Sequence, residues 1–258
     1  MDGTVLDTLE DLRIAINYAM EQTGHRHDYT AEETKLFFGS GIRVAIRRAL
    51  MLEAGNQITQ EVLAQEAENA ITQEVLAQEA ENPITQNVQT REAGSPCHKD
   101  SCSEQEKILA KYTPYYEAHC RDHTIPYTGV NDLLQRLRAA GIHTAVVSNK
   151  PDPAVQILAE AQFPDGFAFA AGERRGIRRK PAPDLVLQVL RRFEIQPREA
   201  LYVGDSEIDI QTAENCGMEC AAVTWGFRSR TFLTQMHPAY MVDSCEELLA
   251  VIMGNDVQ

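Results

Sequence analysis

Four short stretches of this chain carry side chains that can do chemistry, each beside an apolar run. The first, Asp2-Gly3-Thr4-Val5-Leu6-Asp7-Thr8, directly follows Met1. Val146-Val147-Ser148-Asn149-Lys150 is an apolar run that ends in a hydroxyl, an amide and an amine. Arg179-Lys180-Pro181-Ala182-Pro183-Asp184 places a lysine just ahead of an expected helix. Leu201-Tyr202-Val203-Gly204-Asp205-Ser206-Glu207-Ile208-Asp209 ends a strand in an acidic loop. Carboxylates carry protons and hold hard cations, while hydroxyl, amine and backbone N–H groups fix the oxygens of an anion. Taken singly, each stretch has a plainer reading: Asp-Gly and Asp-Thr are ordinary turn and cap sequences, and Asp209 is an ordinary helix N-cap.

Taken together, and in this order, the four stretches resemble the haloacid dehalogenase (HAD) superfamily of phosphatases. That family opens with an apolar strand ending in Asp-x-Asp-Gly-Thr-x-x-Asp-Thr. Asp2 falls on its second aspartate and Met1 on the x position, so the resemblance puts the nucleophilic aspartate and its strand upstream of Met1. It implies that Asp2 is the general acid and then the base of a two-step aspartyl-phosphate route, with its backbone carbonyl on a Mg²⁺ ion held by Asp205 and Asp209. It also implies that Gly3, Ser148, the Asn149 backbone and Lys180 hold the phosphate, while Thr4 orders the turn. Phosphoryl transfer through a carboxylate needs a nucleophile, a proton donor, a cation and fixed donors on the phosphate oxygens, and this sequence offers three of the four. A polypeptide starting at Met1 is therefore expected to show no appreciable phosphatase activity. The expected origin is a start codon assigned within the motif or a truncated gene; a catalytically inactive remnant is the alternative from another functional class.

Phe169-Ala170-Ala171-Gly172-Glu173-Arg174, Pro126-Tyr127-Thr128-Gly129 and Val223-Thr224-Trp225-Gly226-Phe227-Arg228 are similar to the bacterial phosphoglycolate phosphatases. This subgroup resemblance implies 2-phosphoglycolate as substrate, with a pyrophosphatase or a hexose-phosphate mutase of the same superfamily as the alternative. Arg43 or Arg47 is the candidate to take a substrate carboxylate, because a guanidinium pairs with a carboxylate through two parallel hydrogen bonds.

The elements that must position these residues fall into two kinds. From residue 125 onward, apolar runs at 142–148, 167–171, 200–204 and 220–224 alternate with helical patterns at 131–140, 153–161, 184–193 and 210–216. Such alternation predicts a parallel sheet with right-handed crossovers. Asp152 reads as a helix cap, and Ser244-Cys245-Glu246-Glu247 as a capping box. Before residue 125 the pattern is helical, at 9–20, 44–52 and 104–119, the last with an interruption at Pro114. Phe37-Phe38-Gly39-Ser40-Gly41-Ile42 reads as a loop, either a close approach to a ligand or a tight helix connection. The fold expected is thus α/β: a Rossmann-like parallel sheet core over 1–12 and 126–258, with an all-helical cap inserted over 13–125, where the family carries one.

Within the cap, Ile58 opens a twelve-residue sequence that returns unchanged from Ile71 after a 13-residue period, and a partial third copy opens at Ile84. At about 100° per residue, one period turns the apolar face by roughly 220°, so short helices broken at Asn69 and Asn82 fit better than one long helix. Perfect identity suggests a recent duplication at an exposed site, spanning residues 57–88, with no chemical role.

Composition sets the bounds. A chain of 258 residues with 43% hydrophobic residues suits one soluble core plus an inserted domain. A formal charge of −14 argues against a nucleic-acid partner, and no apolar run approaches the ~20 residues of a membrane span. A cytoplasmic monomer or homodimer acting on a small phosphorylated metabolite is expected. The six cysteines lack the paired spacing of a zinc site and read as reduced thiols.

Overall fold

A computed structural model describes residues 1–59, 62–63 and 99–254. The chain starts in a tight turn in which the N–H groups of Thr4, Val5 and Leu6 all point to the Met1 carbonyl. Gly3 adopts a φ of 72°, a left-handed conformation that side-chain-bearing residues avoid. β1 (Leu6–Asp7) then pairs antiparallel with β2 (Ile125–Pro126), so the two crossings between core and cap lie side by side.

Between those crossings lie α1 (Leu9–Glu21), α2 (Ala31–Phe37), α3 (Ile42–Glu53) and α4 (Lys99–His119). They bury Leu12, Ile16, Met20, Phe37, Ile46, Ile108 and Tyr112 against one another, and Phe227 and Phe232 of the core join the same cluster. α2 was not anticipated, although its N-terminus carries a full capping box: Thr30 accepts from the Glu33 N–H, and the Glu33 carboxylate accepts from the Thr30 N–H. α4 runs straight through Pro114 rather than breaking there. Of the repeat, only its first residues are described. Ile58 and Leu63 are buried in the cap cluster, which corrects the expectation of an exposed insertion for that part; the rest lies outside the described residues.

The second half alternates as expected: α5 (Val130–Ala139), β3 (Ala145–Pro151), α6 (Asp152–Gln162), β4 (Phe169–Glu173), α7 (Asp184–Phe193), β5 (Leu201–Gly204), α8 (Glu207–Cys216), β6 (Glu219–Val223), α9 (Arg230–Gln235), β7 (Tyr240–Val242) and α10 (Cys245–Ile252). All pairings here are parallel, β3 with β4 and β5 with β6 with β7. Along β6 the side chains divide by alternation: Cys220 and Ala222 pack toward α7 and α8, Ala221 and Val223 toward α5 and α10. Between the two hydrogen-bonded groups lies a cavity of about 630 Å³, lined by Val146 and Val147 of β3, Leu201 and Val203 of β5, and Leu134 and Val186 of the covering helices.

Several boundaries shift, with consequences for the site. β3 extends to Pro151 with an irregularity after Val147, so Asn149, expected just past the strand, lies inside it with Ser148. α8 begins at Glu207 with Ser206 as its N-cap residue, which puts Asp209 in the first turn rather than at the cap. Asp152 is likewise the first residue of α6, and its carboxylate accepts from the Gly172 N–H. At α10, Ser244 accepts from the Glu247 N–H, while the Glu247 carboxylate takes the Asp243 N–H, so the box is not reciprocal.

Candidate active site

The strand ends of the core and the inner face of the cap enclose a cavity of about 80 Å³. Asp2, Ser148, Asn149, Lys180, Asp205 and Asp209 line it from the core, and Phe38, Gly41, Ile42, Tyr112 and Tyr116 line it from the cap. Ligands in open parallel sheets bind at this end.

Asp205 is fixed by one donor on each oxygen. Its Oδ1 accepts from Thr4 Oγ1 at 2.7 Å and its Oδ2 from the Phe227 N–H at 2.9 Å. Glycines let it sit there. A Cβ on Gly3 would overlap the Asp205 carboxylate, one on Gly226 would overlap Asp205 Cβ and the Gly3 carbonyl, and one on Gly204 would overlap Asp209. Burial, reinforced by the nearby Asp209 charge, holds the Asp205 carboxyl well above the usual range. Asp209 moves the other way: burial opposes its ionisation, but Lys180 and the Met1 amino group outweigh that cost and depress its pKa. Its Oδ1 lies 2.7 Å from Lys180 Nζ, and its Oδ2 accepts from Ser206 Oγ at 2.7 Å and the Asp205 N–H at 3.2 Å. The Met1 amino group is itself buried among these charges, and burial, with Lys180, lowers its pKa.

Asn149 and Lys180 form a reciprocal pair. Asn149 Oδ1 accepts from the Lys180 N–H at 2.8 Å, and Asn149 Nδ2 donates to the Lys180 carbonyl at 3.0 Å. The Asn149 amide therefore fixes the backbone of the lysine loop, which the sequence did not reveal. Ser148 Oγ accepts from the Lys150 N–H at 3.2 Å, leaving its own proton for an acceptor in the cavity.

Sequence reasoning passed over Lys150 although it stands in the second stretch. Its side chain is 3% exposed, donates to the Tyr116 hydroxyl of α4, and lies 4.3 Å from the Tyr116 ring centroid. Its Nζ is 3.2 Å from Asp2 Oδ1 but off the line of a hydrogen bond, so Asp2 Oδ1 is a buried acceptor without a donor. Tyr112 stacks on Tyr116 at 5.3 Å; their i, i+4 spacing on an amphipathic run was the available signal.

Arg43 is not brought to the cavity. It stands half exposed on α3 in an ion pair with Glu106 of α4, because α3 turns Gly41 and Ile42 inward instead. The histidines near the cysteines have other partners, His119 pairing with Asp122 and His123 with Asp11. Cys120, Cys216, Cys220 and Cys245 are free thiols; Cys97 and the side chain of Cys102 lie outside what is described.

The model of the haloacid dehalogenase-like hydrolase family matches residues 53–223. The chain belongs to that family. Its architecture agrees: a crystal structure of a protein assigned as a phosphoglycolate phosphatase in Lactobacillus delbrueckii subsp. bulgaricus superposes with a TM-score of 0.81 at 44% identity, over 98% of this chain and 95% of that one. Phosphoglycolate phosphatase 1 of Pseudomonas aeruginosa is 28% identical over 252 residues, covering 96% of this chain and 76% of that protein. The phosphoglycolate phosphatase of Escherichia coli is 33% identical over 151 residues, 58% of this chain and 60% of its own length. The chain is thus a HAD-type enzyme of the phosphatase class, with a Rossmann-like core and a helical cap. No helix among the described residues is long and apolar enough to cross a membrane.

Proposed function

We propose that the cavity between core and cap binds a small phosphomonoester with a second anionic group, with 2-phosphoglycolate as the leading substrate and Mg²⁺ as cofactor, and that its residues supply the proton donor, the cation site and the phosphate-holding donors of a hydrolysis whose attacking carboxylate is not among them. The observation that carries this reading is the convergence of Asp2, Ser148, Lys180, Asp205 and Asp209, from four separate stretches, on one small cavity under the cap. Its volume of about 80 Å³ suits a compact substrate better than a hexose phosphate. The relatives' names point to the same substrate.

The residues fit Mg²⁺. The donor set is all oxygen, the glycines let Asp205 and Asp209 pack close against the backbone, and burial together with the like charge of Asp209 disfavours the Asp205 carboxylate until a cation offsets it. Among the described residues no three acidic or imidazole side chains gather tightly enough to cage an ion. Mg²⁺ does not require that, since it commonly takes one or two carboxylates and completes its shell with water and phosphate oxygens. Asp205, Asp209 and the Asp2 carbonyl would hold it. When bound, the ion offsets the charge that builds on the phosphoryl oxygens.

The chain's own residues supply the rest. Ser148 Oγ donates to a phosphate oxygen, and Lys180, held by Asn149 and Asp209, sets a fixed positive charge beside it. Asp2, which lines the cavity with its Oδ1 3.2 Å from Lys150 Nζ, carries the proton to the leaving alcohol. Lys150 keeps that carboxylate in place, and Phe38, Ile42, Tyr112 and Tyr116 exclude water.

Titration calorimetry with Mg²⁺ present tests this directly. 2-Phosphoglycolate is expected to bind at least tenfold more tightly than glucose 6-phosphate or pyrophosphate, a difference of about 1.4 kcal/mol. Tighter binding of either competitor would assign the site to that ligand instead.

A further inference from the structure

The acidic loop contains a third carboxylate, Glu207, that faces away from the cavity. Its side chain and that of Arg228 are both fully buried and paired through two hydrogen bonds, Nε to Oε2 at 2.7 Å and Nη2 to Oε1 at 2.9 Å. The same guanidinium crosses to the cap. Its Nη1 donates to the Lys35 carbonyl at 2.7 Å and its Nη2 to the Phe38 carbonyl at 3.0 Å. Arg48 of α3, also buried, donates to the two carbonyls between, Leu36 and Phe37, each at 3.0 Å. Two arginines therefore satisfy the four carbonyls that end α2, which a helix C-terminus otherwise leaves without partners and negatively polarised. One arginine belongs to the cap; the other is anchored in the core.

We propose that Arg228 is a positioning residue for the substrate-facing edge of the cap. Through Glu207 it ties the C-terminal end of α2 to the loop that bears Asp205 and Asp209, and so fixes where Phe38 to Gly41 sits over the cavity. Phe38, Gly39 and Gly41 line the cavity, as do Asp205, Ser206 and Asp209 on the other side of the tie. Gly39, at φ 115°, allows the close approach, since a Cβ there would come within 3.2 Å of Arg228 Nη2. The tie is specific to a guanidinium: one ammonium cannot span a carboxylate and two carbonyls three residues apart. This inference rests on the cavity being the substrate site only in its ligand arm, not in its structural arm.

Because removing one partner of a buried pair strands the other charge, the informative variants are Arg228→Lys and the paired apolar replacement Glu207→Leu with Arg228→Met. The second keeps the core packed and removes the tie. In hydrogen exchange of the full chain, amides of residues 35–41 are expected to exchange at least about tenfold faster in both variants, with β5 and β6 unchanged. In calorimetry with Mg²⁺, 2-phosphoglycolate is expected to bind about tenfold more weakly, while inorganic phosphate, which needs only core residues, stays within about twofold. Unchanged exchange at 35–41 in a folded apolar-pair variant would overturn the proposal, as would equal losses for both ligands. If the unsubstituted protein binds no 2-phosphoglycolate, the substrate reading fails and the exchange result alone decides the tie. Should Arg228→Lys not fold, the apolar pair decides.

Discussion

Thr4 Oγ1 donates to Asp205 Oδ1 at 2.7 Å, joining two residues 201 positions apart at the centre of the site. The Thr4 carbonyl accepts from Trp225 Nε1 at 3.0 Å, so the same residue links the first turn to the loop after β6. Replacing Thr4 by Val keeps the shape and removes the hydroxyl, leaving a buried carboxylate oxygen without its donor. A loss of about 1–3 kcal/mol in unfolding free energy is expected, together with a change in the fluorescence of Trp225, the chain's one tryptophan. Chemical denaturation followed at that fluorophore measures both; a loss below about 0.5 kcal/mol would show that the bond holds nothing in place.

The pair Asp205 and Asp209 gives the metal-free protein an uncommon acid-side profile. Asp205, raised to about 6 by burial and by Asp209, keeps its proton in the folded state after the unfolded chain has lost it. Folding stability from this group is therefore lost as pH rises from about 4 through 6, on the order of 3 kcal/mol. Asp209, held down to about 2, contributes stability above the ordinary carboxylate range that disappears only as pH falls toward 2. Thermal melts of EDTA-treated protein should thus peak near pH 4 for this pair. Added Mg²⁺ should stabilise more at pH 7 than at pH 5, because it needs the ionised Asp205. Equal Mg²⁺ stabilisation at both values would contradict the assignment of Asp205 as a ligand.

Much of this site was legible because its chemistry sits in contiguous motifs. Ser148, Asp205 and Asp209 each follow or end an apolar run that reads as a strand, Lys180 stands just ahead of a helical pattern, and the alternation of strands and helices predicts a parallel sheet. What escaped detection was what depends on packing between distant segments. Lys150 ends the stretch that carries Ser148 and Asn149, but its contact with Tyr116 exists only because the cap folds over β3. Glu207 and Arg228 sit in two stretches 21 residues apart, and nothing local shows that their side chains meet. The inward turn of α3 at Gly41, which leaves Arg43 outside, is likewise set by tertiary contacts. α2 was missed for a different reason: at seven residues it is too short for periodicity, although Thr30 and Glu33 announced its start.

Asp11 is 4% exposed and accepts from the His123 and Thr124 N–H groups, from Thr124 Oγ1 at 2.7 Å and from His123 Nδ1 at 2.9 Å. It thus pins the chain's exit from the cap to its entry. Asp11→Ala should cost roughly 2–4 kcal/mol by leaving the two buried Thr124 donors unpaired, measurable by denaturant unfolding. A loss under about 1 kcal/mol would mean that water replaces the carboxylate.

Deleting residues 58–70 removes one 13-residue unit, and the next copy then presents the same Ile and Leu at the positions of Ile58 and Leu63. The melting temperature should fall by no more than about 3 °C, whereas Leu63→Ala, which opens a cavity in the cap, should cost about 2–5 kcal/mol. A deletion that unfolds the cap, with Leu63→Ala harmless, would reverse that account.

The central claim is that one anionic ligand and one Mg²⁺ ion meet at Lys180 and Asp205 beneath the cap. Calorimetry of 2-phosphoglycolate binding, with and without Mg²⁺, in the unsubstituted protein, Asp205→Asn and Lys180→Met, tests it most directly. Binding should require Mg²⁺ in the unsubstituted protein, lose that dependence in Asp205→Asn, and weaken at least about a hundredfold in Lys180→Met, a loss of about 2.7 kcal/mol. Full-strength, Mg²⁺-independent binding in all three proteins would place the ligand elsewhere and contradict the account.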